Sequence, residues 1–291
     1  MSNKIIKETK KARAIRIYAE RGIVFDGKNI LAPWNEYIPE LATFGTNTKV
    51  GLAATWAIYH GNETLTVDDF KAAMKIETCR VMAAAGIQEI KGSCPGHCKG
   101  CYCDNGNYTY DSTKAALMRR LIIARYYLDF MINAIIAQIE IYGYKQFRIH
   151  ACGDFAVGKE YVNAWKEIVL SCPGTNFWTY TKDEYALHAF DGIENLKIVP
   201  SNTPAGINFG TCAELLKMRN ELIDMGYRVH VCACGTVFEK HCADCNHGCK
   251  AVNDECDFVL FIKHSTKDYK AGKKDLAEYI EILKIIAMQE N

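Results

Sequence analysis

With 291 residues, 49% of them apolar, and a formal charge of +1, the chain can bury one large core and lacks the basic excess that generic nucleic-acid binding requires. No apolar run reaches the roughly 18 residues that cross a bilayer. Charge also breaks Met1 to Lys7 before a signal-peptide core can form, so a membrane partner is excluded and a cytoplasmic protein is expected.

Residues 1–60 show no alternation of strands and helices. Lys4, Lys7, Lys10, Lys11 and Arg13 read as a solvated face, Pro33-Trp34-Asn35 and Pro39 punctuate a turn-rich stretch, and Leu52 to Tyr59 reads as a short helix. This segment is expected to pack as an N-terminal extension on the domain formed by residues 61–291. From 61 to 291, short β-rich runs alternate with amphipathic stretches, the pattern of parallel strands joined by helical crossovers.

Six strands are expected: Gln88 to Gly92, Gln146 to Ala151, Asn176 to Thr181, Leu196 to Pro200, Tyr227 to Cys232 and Asp257 to Lys263. Thr113 to Tyr142 reads as one helix with Leu117, Leu121, Leu128, Ile132 and Ile135 on a face, and Lys159 to Leu170 as another. Thr211-Cys212-Ala213-Glu214 is a capping box whose helix stops at Gly226, and Lys274 to Gln289 has helical spacing. Right-handed crossovers repeated six times curl such a sheet into an α/β partial (β/α)6 barrel. Ligands then sit at the carboxyl ends of the strands. The residues there are the cysteine loop after the first strand, Cys152-Gly153-Asp154, Lys182-Asp183, Ser201-Asn202, Cys232 with Cys234, and His264.

The 14 cysteines would be kept reduced in a cytoplasmic setting, so clustered ones read as metal ligands and not as a disulfide framework. Cys94, Cys98 and Cys101 have the spacing C-x3-C-x2-C, and Pro95, Gly96 and Gly100 supply the tight turns that let one loop converge three thiolates. Three thiolates can hold a 4Fe-4S cluster with one iron left open for a substrate or cofactor. The other reading is a zinc site that takes its fourth ligand from His97 or Cys103. A second group, Cys232, Cys234, Cys242, Cys245, Cys249 and Cys256, forms a cysteine-rich insertion over 232–256. It reads as a zinc site, with His241 or His247 available, or as a second iron-sulfur cluster. Cys79, Cys172 and Cys212 read as small core residues. Hydrolysis by Cys152 with His150 lacks an evident orienting partner.

The cysteine loop resembles that of radical S-adenosylmethionine enzymes, in its spore photoproduct lyase version. The resemblance implies that Cys94, Cys98 and Cys101 bind the cluster and that Tyr102 lies near the adenine of S-adenosylmethionine. It also implies that Gly153 and Asp154 stand where the superfamily contacts the amino group, with Ser201 and Asn202 near the ribose or carboxylate. Asp154, Lys182 and His264 are then the nearest titratable groups, in an enzyme that generates a deoxyadenosyl radical on an unknown substrate with electrons from a donor. The alternative is a non-enzymatic zinc or iron-sulfur protein. Over roughly 40 to 260 the chain is also similar to the phage and mobile-element family called gene product 88. The pieces that carry this are Cys94-Pro95-Gly96, Cys101-Tyr102, Arg148-Ile149-His150, Gly153-Asp154-Phe155 and Phe177-Trp178-Thr179-Tyr180-Thr181-Lys182. Serine often stands at the position of Cys152 in that family, which marks Cys152 as a poor candidate for an obligatory ligand.

Overall fold

The computed structural model describes residues 8–44, 53–96, 101–104, 106–200, 212–231 and 258–260. Helix α1 (Lys10–Glu20) starts at Thr9, whose hydroxyl accepts the Ala12 amide at 3.2 Å. The hairpin β1 (Ile30–Leu31) and β2 (Tyr37–Ile38) comes next, then β3 (Thr43–Phe44) and β4 (Ala54–Thr55). After them come β5 (Thr64–Thr66), α2 (Val67–Ala72), α3 (Ile76–Ala84) and β6 (Glu89–Lys91). Helices α4 (Asp111–Tyr126) and α5 (Leu128–Tyr142) lead to β7 (Gln146–Arg148), α6 (Lys159–Ser171), β8 (Asn176–Thr181), α7 (Glu184–Ala189) and β9 (Leu196–Pro200). The remaining described elements are α8 (Cys212–Asp224) and the parallel pair β10 (Val229–Val231) and β11 (Phe258–Leu260).

The main sheet has five strands in the order β3-β4-β7-β8-β9, with β3 antiparallel to β4 and every other pair parallel. It is an open mixed sheet, and the described residues do not form the partial (β/α)6 barrel that crossover counting predicts. The first expected strand is the main reason. β6 pairs antiparallel with β5 outside this sheet, and its place beside β7 is taken by β4, inside the stretch that reads as a helix. Residues 53–60 are all buried. A short run buried on both faces loses the alternation that marks a strand, and then only its neighbours decide its conformation.

The helix expected over Thr113 to Tyr142 is two helices, bent by 119° at Tyr127. A straight helix of that span would run about 45 Å, far past a sheet whose longest main-sheet strand has six residues. The bend lets Leu117, Leu121 and Ile122 of α4 and Met131, Ile135 and Ile139 of α5 enter one core. Gly143 ends α5 in the left-handed region, with φ 62. Among the described residues no single helix is long and apolar enough to cross a membrane.

Phe147 of β7 and Phe177 of β8 are register partners with ring centres 5.5 Å apart, and Trp165 of α6 lies 5.9 Å from both Phe147 and Trp56. These buried rings face the helices and hold the strands at a fixed height. The opposite face carries a smaller cluster of Ala53, Trp178 and Tyr180. The helix expected over Lys274 to Gln289 lies outside the described residues, as does most of the last expected strand.

Candidate metal centre

Beyond β4 and β7 the two chain segments stay side by side. The Trp56 amide donates to the Arg148 carbonyl at 3.0 Å, Ala151 to Trp56 at 2.7 Å and Ile58 to Cys152 at 3.0 Å. This brings His60 and Cys152 together at the carboxyl end of the parallel strands, the edge where such sheets bind ligands. The start of the cysteine loop is tied to the same place. Ser93 donates to the Tyr59 carbonyl at 2.7 Å and accepts the Asp154 amide at 3.2 Å, and the Cys94 amide donates to the Gly61 carbonyl at 2.7 Å.

The loop re-enters at a 3-10 turn, Tyr102–Asp104. The Asp104 carboxylate accepts from His60 Nε2 at 2.7 Å, which ties the turn carrying Cys103 to the imidazole. His60, Cys103 and Cys152 are all buried, and their ligating atoms lie within 4.8 Å of one another. Cys101 joins His60 and Asp104 in a second group of the same tightness. A carboxylate can only accept, so Nε2 carries the proton and the Nδ1 lone pair is left facing Cys152 Sγ at 3.7 Å. In a tetrahedral zinc site with bonds of about 2.1 Å to nitrogen and 2.3 Å to sulfur, the nitrogen–sulfur edge is about 3.6 Å.

The surroundings of Cys101 and Cys152 favour their protonated thiols. Burial pushes the Cys152 thiol up against the pull of a hydrogen bond with Cys103, and the neighbouring Cys101 and Cys94 add to the rise. A hydrogen bond with Cys103 and then burial push Cys101 up. A divalent cation reverses both effects, because it compensates several thiolates at once.

The sequence-predicted residues divide into three sets. Cys101 comes to this centre, and the Cys94 main chain is tied to Gly61 beside it. Cys98, Cys232, Cys234, Cys242, Cys245, Cys249, Cys256, Ser201, Asn202 and His264 lie outside the described residues. Gly153, Asp154 and Lys182 lie beside the centre in roles the structure defines. Asp154 is buried; it accepts from the Phe155 amide at 2.8 Å, the Lys182 amide at 3.0 Å and the Thr181 hydroxyl. Burial pushes its carboxyl up to about 6 against the pull of these donors. The carboxylate therefore latches the end of β7 to the end of β8, and Lys182 contributes its main chain to that latch.

Gly153 has φ 86, and a Cβ there would meet Ile58 Cγ1 at 2.5 Å and the Ser93 hydroxyl at 2.7 Å. Close approach and left-handed backbone both require glycine. Gly153→Ala should cost about 2–4 kcal/mol in chemical denaturation; an unchanged midpoint would refute the close approach.

Tyr102 opens the 3-10 turn. His60 is the site residue that sequence reasoning missed, since it ends a buried run read as a helix. The imidazole beside Cys152 belongs to His60, not His150. His150 is kept neutral by burial and the nearby Arg148, which pull it down to about 3. Its Nε2 accepts from the Tyr161 hydroxyl at 2.7 Å, and that hydroxyl accepts from Trp56 Nε1 at 2.8 Å. Cys152 itself, set aside on family grounds, sits in the middle of the cluster.

The family model described as gene product 88 matches residues 55–247. No curated protein and no solved structure matches the chain. The matched span contains every residue of the centre, from His60 to Cys152.

Proposed function

This chain belongs to the gene product 88 family, and on that footing we propose that it is a metalloprotein whose ion is held by His60, Cys101, Cys103 and Cys152. The observation that carries this is the 3.7 Å separation of His60 Nδ1 from Cys152 Sγ, with Asp104 on the far nitrogen of the same ring. A carboxylate behind a histidine ligand orients the ring and raises its basicity. One imidazole with three thiolates suits Zn2+. When bound, the ion would add a cross-link between three segments: the end of the β4 segment, the cysteine loop and the end of the β7 segment. Asp104 holds the proton on Nε2, and Ser93 keeps the two strand ends parallel.

The test is metal analysis of anaerobically purified protein with Co2+ substitution. One equivalent of zinc, and tetrahedral thiolate absorption with cobalt, are expected. Zinc uptake should release about three protons, one from each thiol. Asp104→Asn keeps a hydrogen-bonding side chain without the charge and should weaken zinc binding about 10–100-fold in a chelator competition. Metal-free protein with no measurable zinc affinity would end the proposal.

A second reading is the 4Fe-4S cluster of a radical S-adenosylmethionine-type enzyme fed by an electron donor. The influence of Cys94 and Cys101 on Cys152 favours it, since three thiolates suffice to hold a cluster with one iron left open. Iron with matching acid-labile sulfide in the anaerobic protein supports this reading, and deoxyadenosine formed from S-adenosylmethionine under reductant would establish it. The 232–256 cysteine group is a candidate for a further zinc or iron-sulfur site, and triple replacement of Cys94, Cys98 and Cys101 measures whether metal remains there.

A further inference from the structure

We infer, resting on the metalloprotein reading, that Arg125 is a positioning residue of the metal centre, a guanidinium that sets where His60 stands relative to Cys152. Arg125 lies in the last turn of α4, partly buried, just before the bend at Tyr127. Its Nε donates to the Lys91 carbonyl at 2.9 Å, one terminal nitrogen to the Gly92 carbonyl at 2.7 Å and the other to the Val157 carbonyl at 3.2 Å. Among the described residues its hydrogen bonds go to these main-chain carbonyls alone.

The three carbonyls belong to two segments that serve the centre. Lys91 closes β6 and Gly92 leads into Ser93 and the cysteine loop, whereas Val157 lies on the stretch from Cys152 to α6. The Gly92 end of this clamp reaches His60 directly, main chain against main chain. A Cβ on Gly92 would press on the Gly61 carbonyl and lie 2.9 Å from the His60 carbonyl oxygen. The Gly92 amide donates to the Glu63 carbonyl at 2.9 Å and the Cys94 amide to the Gly61 carbonyl at 2.7 Å, so whatever holds Gly92 also holds the backbone that carries the imidazole. At the other end, Val157 follows the buried Phe155, which leaves the chain between Cys152 and Val157 little freedom.

Arginine suits this task and lysine does not. A guanidinium keeps its charge when partly buried and spreads its donors from one rigid plane, so it fixes the angles between its acceptors, and its charge shortens and strengthens each bond. An ammonium can satisfy carbonyls without fixing their relative positions. Metal–ligand distances hold to about 0.2 Å, so a backbone shift of a few tenths of an ångström at His60 is enough to weaken a bound ion.

The test measures zinc affinity by chelator competition and the Co2+ ligand-field spectrum on the full chain, for wild type, Arg125→Gln, Arg125→Lys and Ile139→Ala. Arg125→Gln should weaken zinc binding about tenfold, as loss of a supporting partner does, and shift the cobalt bands, with Arg125→Lys between it and wild type. Ile139 is buried at the end of α5 that leads into β7, away from the strand ends that form the centre. Ile139→Ala should therefore lower the melting temperature and leave zinc affinity and the cobalt spectrum unchanged. Wild-type affinity and spectrum in Arg125→Gln, in a protein that does bind zinc, overturn the role of Arg125 alone. Equal loss of affinity in Ile139→Ala overturns it too, since global stability then explains the effect. If Arg125→Gln does not fold, Arg125→Lys carries the test, and wild-type affinity and spectrum in that variant overturn the role. Wild-type protein that takes up no zinc ends the metalloprotein reading itself, and the role of Arg125 with it.

Discussion

His60→Ala is expected to lower zinc affinity by two to three powers of ten, read by competition with a chelator of known affinity. Structural zinc sites are worth about 10–16 kcal/mol in apparent binding, which is about 2.5–4 kcal/mol for each of four ligands, and each 1.4 kcal/mol is about tenfold. The imidazole is also the link through which Asp104 reaches the centre, at 2.7 Å on one side and with Cys152 at 3.7 Å on the other. Its loss therefore removes a ligand and releases the 3-10 turn that seats Cys103. His60→Cys returns a ligand of shorter reach and should recover part of the affinity. Wild-type affinity in His60→Ala would show that the four thiols of Cys94, Cys101, Cys103 and Cys152 bind without it, as the cluster reading requires.

Asp154→Ala should be the most destabilising single change near the site while leaving metal stoichiometry intact. The Phe155 amide, the Lys182 amide and the Thr181 hydroxyl would all lose their acceptor at a buried position. Each buried donor left unsatisfied costs about 1–3 kcal/mol, so three of them cost about 3–9 kcal/mol, and a melting temperature lower by about 10 °C or more is expected. Asp154→Asn keeps one acceptor oxygen but turns an amide NH2 toward a main-chain donor, and should fall about midway. A stable Asp154→Ala protein that loses its metal would instead make the carboxylate a ligand, and the latch between β7 and β8 would be wrong.

Much of the local structure was legible because it depends on neighbours in the chain. Asn176–Thr181 and Leu196–Pro200 are strands with the expected bounds, since their β-branched and aromatic residues sit between turn signals. Lys159–Ser171 is a helix because Tyr161, Val162, Trp165 and Val169 fall on one face. The same reasoning placed Cys152-Gly153-Asp154 and Lys182 just past strand ends, where the structure has them. The spacing of Cys94 and Cys101 marked a thiol loop, and the structure ties Cys94 to Gly61 and groups Cys101 with His60, the two flanks of one strand end.

What could not be read was which distant segments meet. Residues 53–60 are buried on every side, so their sequence shows no period, and their pairing with β7 depends on a partner about ninety residues further on. His60 reaches Cys152 only through that pairing, and the residues around it in sequence, Tyr59, Gly61, Asn62 and Glu63, gave no sign of Asp104 or Cys152. The barrel expectation failed for a related reason. Alternating strands and helices specify that a sheet will be mostly parallel, but its closure depends on which strand sits at each edge, and β6 is held by β5 through an antiparallel pairing outside the sheet. Residue order thus sets which elements form and where thiols cluster, because those are short-range matters of backbone preference and loop length. Strand partnership and the meeting of His60 with the thiols come from long-range burial, which no local pattern encodes.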